Sequence, residues 1–95
     1  MFELFPTNSF KRDMKKQPIG LTVSVEWVEV MDCLMNGKKM AKKYCDHDLK
    51  NDWKGFRECH IRPDLLLIYE TDSRSTVIQL VRIGSHSELF GHKRY

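Results

Sequence analysis

The chain contains one run, residues 65–71, that is apolar at nearly every position and has the length of a β-strand. A strand that is apolar on both faces belongs inside a sheet, with neighbouring strands on each side. Turn-forming residues flank this run at 63–64 and 72–75, and strand patterns lie beyond them at 53–61 and 76–83. The second half of the chain therefore predicts an antiparallel meander with the apolar run as an inner strand.

The first half predicts a short strand followed by helices. Residues 1–5 are apolar and strand-compatible, and residues 8–17 fit a helix that Pro18 ends. Residues 22–36 fit two patterns, a strand of alternating apolar residues and a helix with one apolar stripe. Their length, Thr22 as a helix cap and Gly37 as a stop favour the helix, but the residues alone leave both interpretations open.

Length and composition predict a single domain over residues 1–95 with a thin core, because a chain this short buries roughly 60–65% of its unfolded surface. The net charge of +3 is too small to diagnose nucleic-acid binding, although lysines and arginines cluster at 11–16 and 38–43. No segment resembles a signal peptide or a membrane span, and the three cysteines fit no standard zinc spacing. We expect a cytoplasmic protein with reduced thiols.

The second half also collects the residue types that can move protons around a phosphate. Such chemistry needs one group that takes a proton, one group that gives a proton and a cation that stabilises the negative charge on the phosphate. Histidine suits the proton transfers, and arginine suits the third task because it stays charged and binds two oxygens. The residues of these types are His60, Asp64, Arg82 and His86. Each also has a structural interpretation, such as a strand histidine satisfied by a neighbour or an aspartate that caps its own turn.

Three motifs stand in order along this half: DHDL at 46–49, WKGFRECHIRPD at 53–64 and RIGSHSELF at 82–90. Their order and spacing closely resemble the YafQ group of toxins within the RelE superfamily. The first half agrees with that group in length and in SFKRD at 9–13. The group commonly has tryptophan after the aspartate, where this chain has Leu65, so the resemblance does not extend to an aromatic base contact there.

The resemblance implies an α+β, RelE-like fold. We expect a small antiparallel-dominated sheet in the order β-α-α-β-β-β, with two N-terminal helices near 8–17 and 22–36 packed on one face. It also implies a bacterial type II toxin that enters the ribosomal A site on the 30S subunit and cuts messenger RNA. Such an enzyme needs no metal or cofactor and leaves a 2′,3′-cyclic phosphate and a 5′-hydroxyl.

The resemblance assigns roles residue by residue. We expect the catalytic residues to be His60, Asp64, Arg82 and His86, with His86 as general acid and Arg82 as the cation that stabilises the transition state. The resemblance also implies substrate-binding roles for His47 and Phe90. For Arg57 and Arg62 a substrate-binding role is expected from the residue type, since arginines contact backbone phosphates, although solvated strand arginines are common. Phe90 has an equal claim to be a core residue, since it could either pack under the sheet or stack on a base.

Two other functions compete with this one. A ParE-like toxin would attack DNA gyrase without cutting RNA, but the histidine-rich second half argues against it. A non-catalytic RNA-binding module would present aromatic side chains on a sheet face, but apolar aliphatic residues fill the central strand. The resemblance implies a DinJ/RelB-like antitoxin from an adjacent gene as partner, and we expect an acidic segment that folds onto the toxin.

Overall fold

A computed structural model describes residues 1–72 and 74–91. Its centre is the apolar run, which forms strand β4 (Leu65–Thr71) with its first five residues buried. The other strands and the helices are, in chain order, β1 (Glu3–Pro6), α1 (Asn8–Met14), α2 (Val25–Asn36), β2 (His47–Asp48), β3 (Arg57–Arg62), β5 (Val77–Gly84) and α3 (His86–Phe90). This architecture confirms the predicted α+β class.

The five strands form one sheet in the order β1-β5-β4-β3-β2. β3, β4 and β5 make the predicted antiparallel meander, and β2 adds a two-residue antiparallel edge. β1 pairs parallel with β5 at the other edge, so the first strand of the chain lies against the last. The sheet therefore encloses β4 between two neighbours, as its apolar sequence requires.

Helices α1 and α2 pack on one face of the sheet, as predicted. Their side chains Phe10, Val30, Met31 and Leu34 join a core with β-strand residues that include Leu67 and Ile83. The opposite face carries a smaller core under α3 and residues 49–56, and its members are Leu49, Leu66, Ile68, Leu89 and Phe90. We call these the helix face and the second face.

The helix over the ambiguous segment starts later than the sequence suggested. Residues Ile19–Val23 form a 3₁₀ turn, and α2 begins at Val25. Ser24, rather than Thr22, is the cap: its hydroxyl accepts a hydrogen bond from the Trp27 amide at 3.2 Å. The predicted stop at Gly37 is confirmed, because this residue takes the left-handed conformation with φ of 62°.

The segment 40–52, which shows no apolar periodicity in the sequence, is partly ordered. It contains strand β2 and a 3₁₀ turn at Lys42–Tyr44, and a second 3₁₀ turn at Asn51–Trp53 follows. Tyr44 is buried, and its hydroxyl donates to Glu29 of α2 at 2.6 Å. Burial and the neighbouring carboxylate raise the pKa of Tyr44 to about 12. Tertiary contacts of this kind order a segment whose sequence lacks periodicity.

Two β-bulges change the face of the sheet toward which side chains of β3 and β5 are directed. In β3 the register shifts after His60, which pairs with Leu66, so that Arg62 pairs with Leu65. In β5 the register shifts between Leu80 and Arg82, which pairs with Ile68. A bulge reverses the alternation of side chains along a strand. Residues two apart in sequence, such as His60 and Arg62, are thereby directed to opposite faces.

None of the helices in the described part of the chain combines the length and the apolar character needed to cross a membrane. The three cysteines are free thiols, of which Cys59 is fully buried. Burial raises the pKa of the Cys59 thiol, which keeps it protonated and unreactive.

The cap assignment predicts different effects for two neighbouring hydroxyl residues. Ser24→Ala should lower the free energy of unfolding by about 1 kcal/mol, because it leaves an amide of the first turn of α2 without its partner. Thr22→Ala, which removes an exposed hydroxyl before the helix, serves as the matched control and should be nearly neutral. Urea unfolding followed by circular dichroism compares them. A larger loss from Thr22→Ala would contradict the helix start at Val25.

Candidate active site

Two histidines share one buried carboxylate on the second face. His47 on β2 pairs with Glu58 on β3, and His60 lies two residues further along β3. His60 Nε2 is 3.1 Å from Glu58 Oε1, and His47 Nε2 is 3.7 Å from the same oxygen. Glu58 is only 2% exposed, and its Oε2 has no hydrogen-bond partner within residues 1–72 and 74–91. Such a group interacts strongly with any neighbouring proton.

The hydrogen bonds fix how the two imidazole rings are oriented. His47 Nδ1 is 2.6 Å from the carbonyl oxygen of Cys45, which can only accept, so Nδ1 is the donor. His60 faces Glu58 Oε1 with its Nε2, so its Nδ1 lies outside this contact. A histidine oriented by a carboxylate in this way can take a proton on its other nitrogen.

Arg82 is held at the edge of the sheet by Asp13 of α1. Its Nε donates to Asp13 Oδ2 at 2.7 Å and its Nη2 donates to Oδ1 at 3.1 Å, which makes a bidentate pair. Asp13 Oδ2 also accepts the backbone amide of Ile83 at 3.1 Å. The pairing of β1 with β5 ends at Pro6. The Asp13 carboxylate therefore accepts the hydrogen bond of a β5 amide that has no neighbouring strand at this point. Nη1 of Arg82 is left free of Asp13.

The Asp13 carboxyl is adapted to this position. Burial by itself would raise its pKa, but the hydrogen bonds from Arg82 and Ile83 and the nearby positive charges outweigh burial and lower the pKa. The pKa of Arg82 is raised in turn, mainly by its hydrogen bond to Asp13. Both groups are therefore charged at neutral pH.

Asp64 connects the turn between β3 and β4 to the start of α3. Its Oδ1 accepts the backbone amide of His86 at 3.1 Å, next to the Ser85 cap of the helix. The ring of His86 lies 5.4 Å from that of Phe90, which meets Trp53 at 6.0 Å. Phe90 is 7% exposed and belongs to the core of the second face. Asp64 thus holds the helix that carries His86, and Phe90 packs against its ring.

The strand register relates these groups to one another. One row across the sheet runs from His47 through Glu58 and Ile68 to Arg82, and the next runs from His60 through Leu66 to Gly84, two residues before His86. Because neighbouring strands are about 4.8 Å apart, His60 and Gly84 lie roughly 10 Å apart at the backbone. The register therefore sets the two histidines at opposite sides of β4 on the second face, with Arg82 in the adjacent row.

Two of the predicted substrate-binding residues lie elsewhere. Arg57 is directed to the helix face, where it donates to Asp46, Asp48 and the Tyr69 hydroxyl. These contacts, the Asp46 hydrogen bond foremost, raise its pKa further. Arg62 follows the bulge and meets Glu26 of α2, with Nε 3.4 Å from Oε2. The Arg57 guanidinium is held away from His60 and His86, whereas Arg62 lines a surface cavity together with His60.

The sequence did not point to Asp13 or Glu58. An aspartate within a lysine-rich helix and a glutamate within a strand resemble solvent-exposed residues. Their burial was the missing information: Asp13 is 7% exposed and Glu58 2%. The one available signal for Glu58 was its spacing, since two residues along a strand place it on the face of His60. Leu65 is buried in the helix-face core.

Metal binding has no obvious site in residues 1–72 and 74–91. No group of three or more histidine, cysteine, aspartate or glutamate side chains there has the arrangement of a metal site. The proton-transfer groups can be described without one.

Sequence comparison connects this chain with one family. A family model described as a bacterial toxin of type II toxin–antitoxin system, YafQ, matches residues 2–91. A Haemophilus influenzae protein that carries the YafQ name is 31% identical over 78 residues, which span 80% of this chain and 76% of that protein. The mRNA interferase toxin YafQ of Escherichia coli K12 is 42% identical over 48 residues, half of each chain.

Solved structures agree with that connection. A copper-bound mutant toxin from Helicobacter pylori superimposes with a TM-score of 0.81 at 38% identity, covering 95% of this chain and all of the other. YafQ from E. coli BL21(DE3) gives 0.77 at 26% identity, covering 96% of this chain and all of the other. YafQ in the E. coli DinJ–YafQ complex gives 0.75 at 27% identity, covering 96% and 100%.

The Asp13–Arg82 pair predicts a pH-dependent contribution to stability. Asp13→Asn should cost about 1.5–3 kcal/mol of unfolding free energy at pH 7, because it removes a charge-assisted bidentate pair. The folded-state pKa of Asp13 is lowered, so its contribution is present above the unfolded value of 3.8 and is lost as pH falls through the folded value. The difference between Asp13→Asn and the wild type should therefore shrink on acidification toward pH 3.

Denaturant unfolding at several pH values measures this difference. Asp32→Asn is the matched control, because Asp32 also pairs with a cation, Lys38, but at an exposed site. It should change stability only slightly at any of these pH values. An Asp13→Asn loss that stays constant between pH 7 and pH 3 would contradict the electrostatic role of Asp13.

Proposed function

Because this chain belongs to the YafQ family of type II toxin–antitoxin toxins, we propose that it is a ribosome-dependent endoribonuclease that cuts messenger RNA in the ribosomal A site. The observation that supports this most directly is the buried Glu58, which orients His60 on the face that also carries Arg82 and His86. The name of the E. coli relatives, mRNA interferase toxin, agrees with it.

In the proposed reaction His60 is the general base. Its Nδ1 lone pair takes the proton of the 2′-hydroxyl, while Nε2 stays bonded to Glu58 at 3.1 Å. The imidazolium formed in this step is stabilised by the adjacent carboxylate, as in other carboxylate–histidine pairs. The 2′-oxygen then attacks phosphorus. His47, whose Nε2 faces the same Glu58 oxygen, adds a second imidazole beside the phosphate.

His86 is the proposed general acid. As the bond from phosphorus to the 5′-oxygen breaks, its imidazolium gives a proton to that oxygen, which leaves as a 5′-hydroxyl. The other product is a 2′,3′-cyclic phosphate. In this reaction Asp64 positions His86 and transfers no proton, because Asp64 contacts the His86 backbone amide rather than the imidazole ring. Proton transfer by two histidines balances the reaction without a metal ion.

Arg82 is the proposed cation for the phosphorane. Asp13 occupies its Nε and one Nη2 position, so Nη1 remains to donate to the phosphate oxygens. A guanidinium fixed before the substrate arrives needs little reorganisation during the reaction. Phe90 stabilises the orientation of His86 by ring contact, and a role in stacking on a base would require it to leave its packed position.

Dependence on the ribosome follows from the weak electrostatic attraction this chain offers to free RNA. Its net charge is only +3, and Arg57, Arg62 and Arg82 are each paired with carboxylates. A shallow site with few free cations gains most of its rate from a substrate that is already positioned. The ribosome would provide that positioning.

Cleavage of messenger on programmed ribosomes tests the proposed chemistry. His60→Ala and His86→Ala should each lower the cleavage rate about 10²–10⁴-fold, the usual cost of losing one acid–base group. Arg82→Ala should lower the cleavage rate about 10²–10³-fold. Arg82→Lys should also cleave slowly, because a lysine ammonium cannot pair with Asp13 and donate to the phosphate in the fixed planar geometry of a guanidinium. Primer extension and detection of the cyclic phosphate measure the outcome.

Arg74→Ala is the matched control for Arg82, since Arg74 is 91% exposed in its side chain and pairs only with Asp72. It should leave cleavage unchanged. Full activity of both the His86→Ala and the Arg82→Ala proteins would show that the site lies elsewhere. Efficient cutting of naked RNA at physiological salt would remove ribosome dependence, and intact messenger with inhibited gyrase would favour a ParE-like toxin.

We also propose a cognate antitoxin encoded by an adjacent gene. E. coli YafQ has been solved in complex with DinJ. On this chain an apolar surface is available around the start of α2, where Ile19 is 97%, Val23 80% and Val25 66% exposed. Lys39, Lys42 and Lys50 form no ion pair within residues 1–72 and 74–91, and they would attract an acidic segment. Such a segment could fold as a helix on this surface.

Co-expression with the neighbouring open reading frame tests the partner. The two proteins should co-purify, growth arrest should be relieved, and the complex should not cut messenger on programmed ribosomes. Expression of an unrelated acidic protein of similar size is the control and should relieve nothing. Persistent growth arrest without a co-purifying protein would argue against the antitoxin.

A further inference from the structure

A polar cavity lies between helix α1 and the end of strand β5. It has a volume of about 320 Å³ and is lined by Ser9, Arg12, Asp13, Lys16 and Arg82. Arg82 therefore borders both this cavity and the proposed active site. The proposed reaction uses Asp13 to hold Arg82, but it gives no role to Ser9, Arg12 or Lys16.

The charge of this cavity is positive after its one carboxylate is counted. Both oxygens of Asp13 are bonded to Arg82, and one of them also to the Ile83 amide. Arg12 donates only to the Ser9 hydroxyl at 3.2 Å, and neither Arg12 nor Lys16 forms an ion pair within residues 1–72 and 74–91. Arg12 of α1 and Lys16 in the turn that follows the helix are thus two cations that line the cavity and are available to an anion.

The cavity is also close to the helix that carries His86. The ammonium of Lys16 interacts electrostatically with both Asp13 of α1 and Glu88 of α3. Glu88 itself is occupied by the Ser85 amide in the capping box of α3, at 2.8 Å. Lys16 therefore lies beside Arg82 in this cavity and close to the helix that carries His86.

We propose that this cavity binds the RNA phosphodiester adjacent to the scissile one, with Arg12 and Lys16 as its ligands. This inference rests on the proposed function, because the scissile phosphate is placed at Arg82. The scissile phosphate lies on one side of the Arg82–Asp13 pair, and the flanking phosphate contacts Arg12 and Lys16 on the other side. The contact is to the backbone, so it adds affinity and register without reading sequence.

A phosphodiester fits this cavity better than an acidic protein segment. The lining is polar, with a hydroxyl and guanidinium and ammonium donors, and it lacks the apolar anchor that holds a peptide helix. The exposed apolar residues suited to a protein partner are at the start of α2 instead. RNA also reaches Arg82 in the proposed reaction, so its next phosphate is already nearby.

The α1 sequence offers a matched pair of variants. Arg12→Gln with Lys16→Gln removes the two cations that line the cavity. Lys11→Gln with Lys15→Gln removes two cations of the same segment that do not line it. Each double variant changes net charge by −2. Binding is measured at low ionic strength by fluorescence anisotropy. The probe is a short single-stranded RNA with a 2′-deoxy sugar at its centre to block cleavage there.

The cavity variant should reduce the slope of log affinity against log salt by about 0.7, the value for one lost phosphate contact on a single strand. The control variant should reduce it by clearly less. Extending a dinucleotide probe with one phosphate to a trinucleotide with two should strengthen binding to the wild type and the control. It should not strengthen binding to the cavity variant.

Equal losses from both variants would mean that α1 acts through general charge, and would overturn the proposal. So would an unchanged cavity variant, a wild type that binds no RNA at low salt, or a cavity variant that loses only antitoxin binding. Cleavage on programmed ribosomes is scored separately. A wild type that binds the probe but cuts nothing would refute the nuclease assignment and leave the phosphate comparison valid.

Discussion

The burial of β4 on both faces is the constraint on which the rest of this structure depends. Leu66, Leu67 and Ile68 are each completely buried, so the chain must supply a covering layer on either side of the sheet. The helix face uses α1 and α2, and the second face uses α3 and residues 49–56. In a chain of 95 residues, few apolar side chains are left to line a deep pocket once both faces of the sheet are covered. The site consequently lies on the surface beside these layers rather than in a deep cleft.

The two bulges decide which charged groups meet. Regular alternation would place Arg62 with His60 and would place Arg82 on the same side as Leu80, toward the helices. The shift in β3 sends Arg62 to Glu26, and the shift in β5 brings Arg82 opposite Ile68. Bulges commonly re-aim side chains next to functional sites. Here one removes an arginine from the histidine face and the other adds one to it.

The ion pairs of each cation indicate whether it stabilises the fold or is available to a substrate. Arg57 is surrounded by Asp46, Asp48 and Tyr69, and it stabilises the edge of the sheet on the helix face. Arg82 is also paired, but only through one side of its guanidinium. Neither Arg12 nor Lys16 forms an ion pair among the described residues. The modest net charge of the chain therefore understates how locally positive the region around α1 is.

The sequence by itself determined the meander, the first helix and the family, because apolar runs, turn residues and motif spacing are local properties. Residues 22–36 fitted a strand as well as a helix, and the resemblance decided for the helix. It also identified His60, Asp64, Arg82 and His86 as residue types suited to phosphate chemistry, and the role of each remains a prediction. Only the tertiary structure revealed the partners: Asp13 beside Arg82 is 69 positions away in sequence, and Asp64 meets the His86 amide across 22. Register shifts, burial of a carboxylate and the docking of a helix end at a strand edge depend on contacts between distant segments, which periodicity cannot encode.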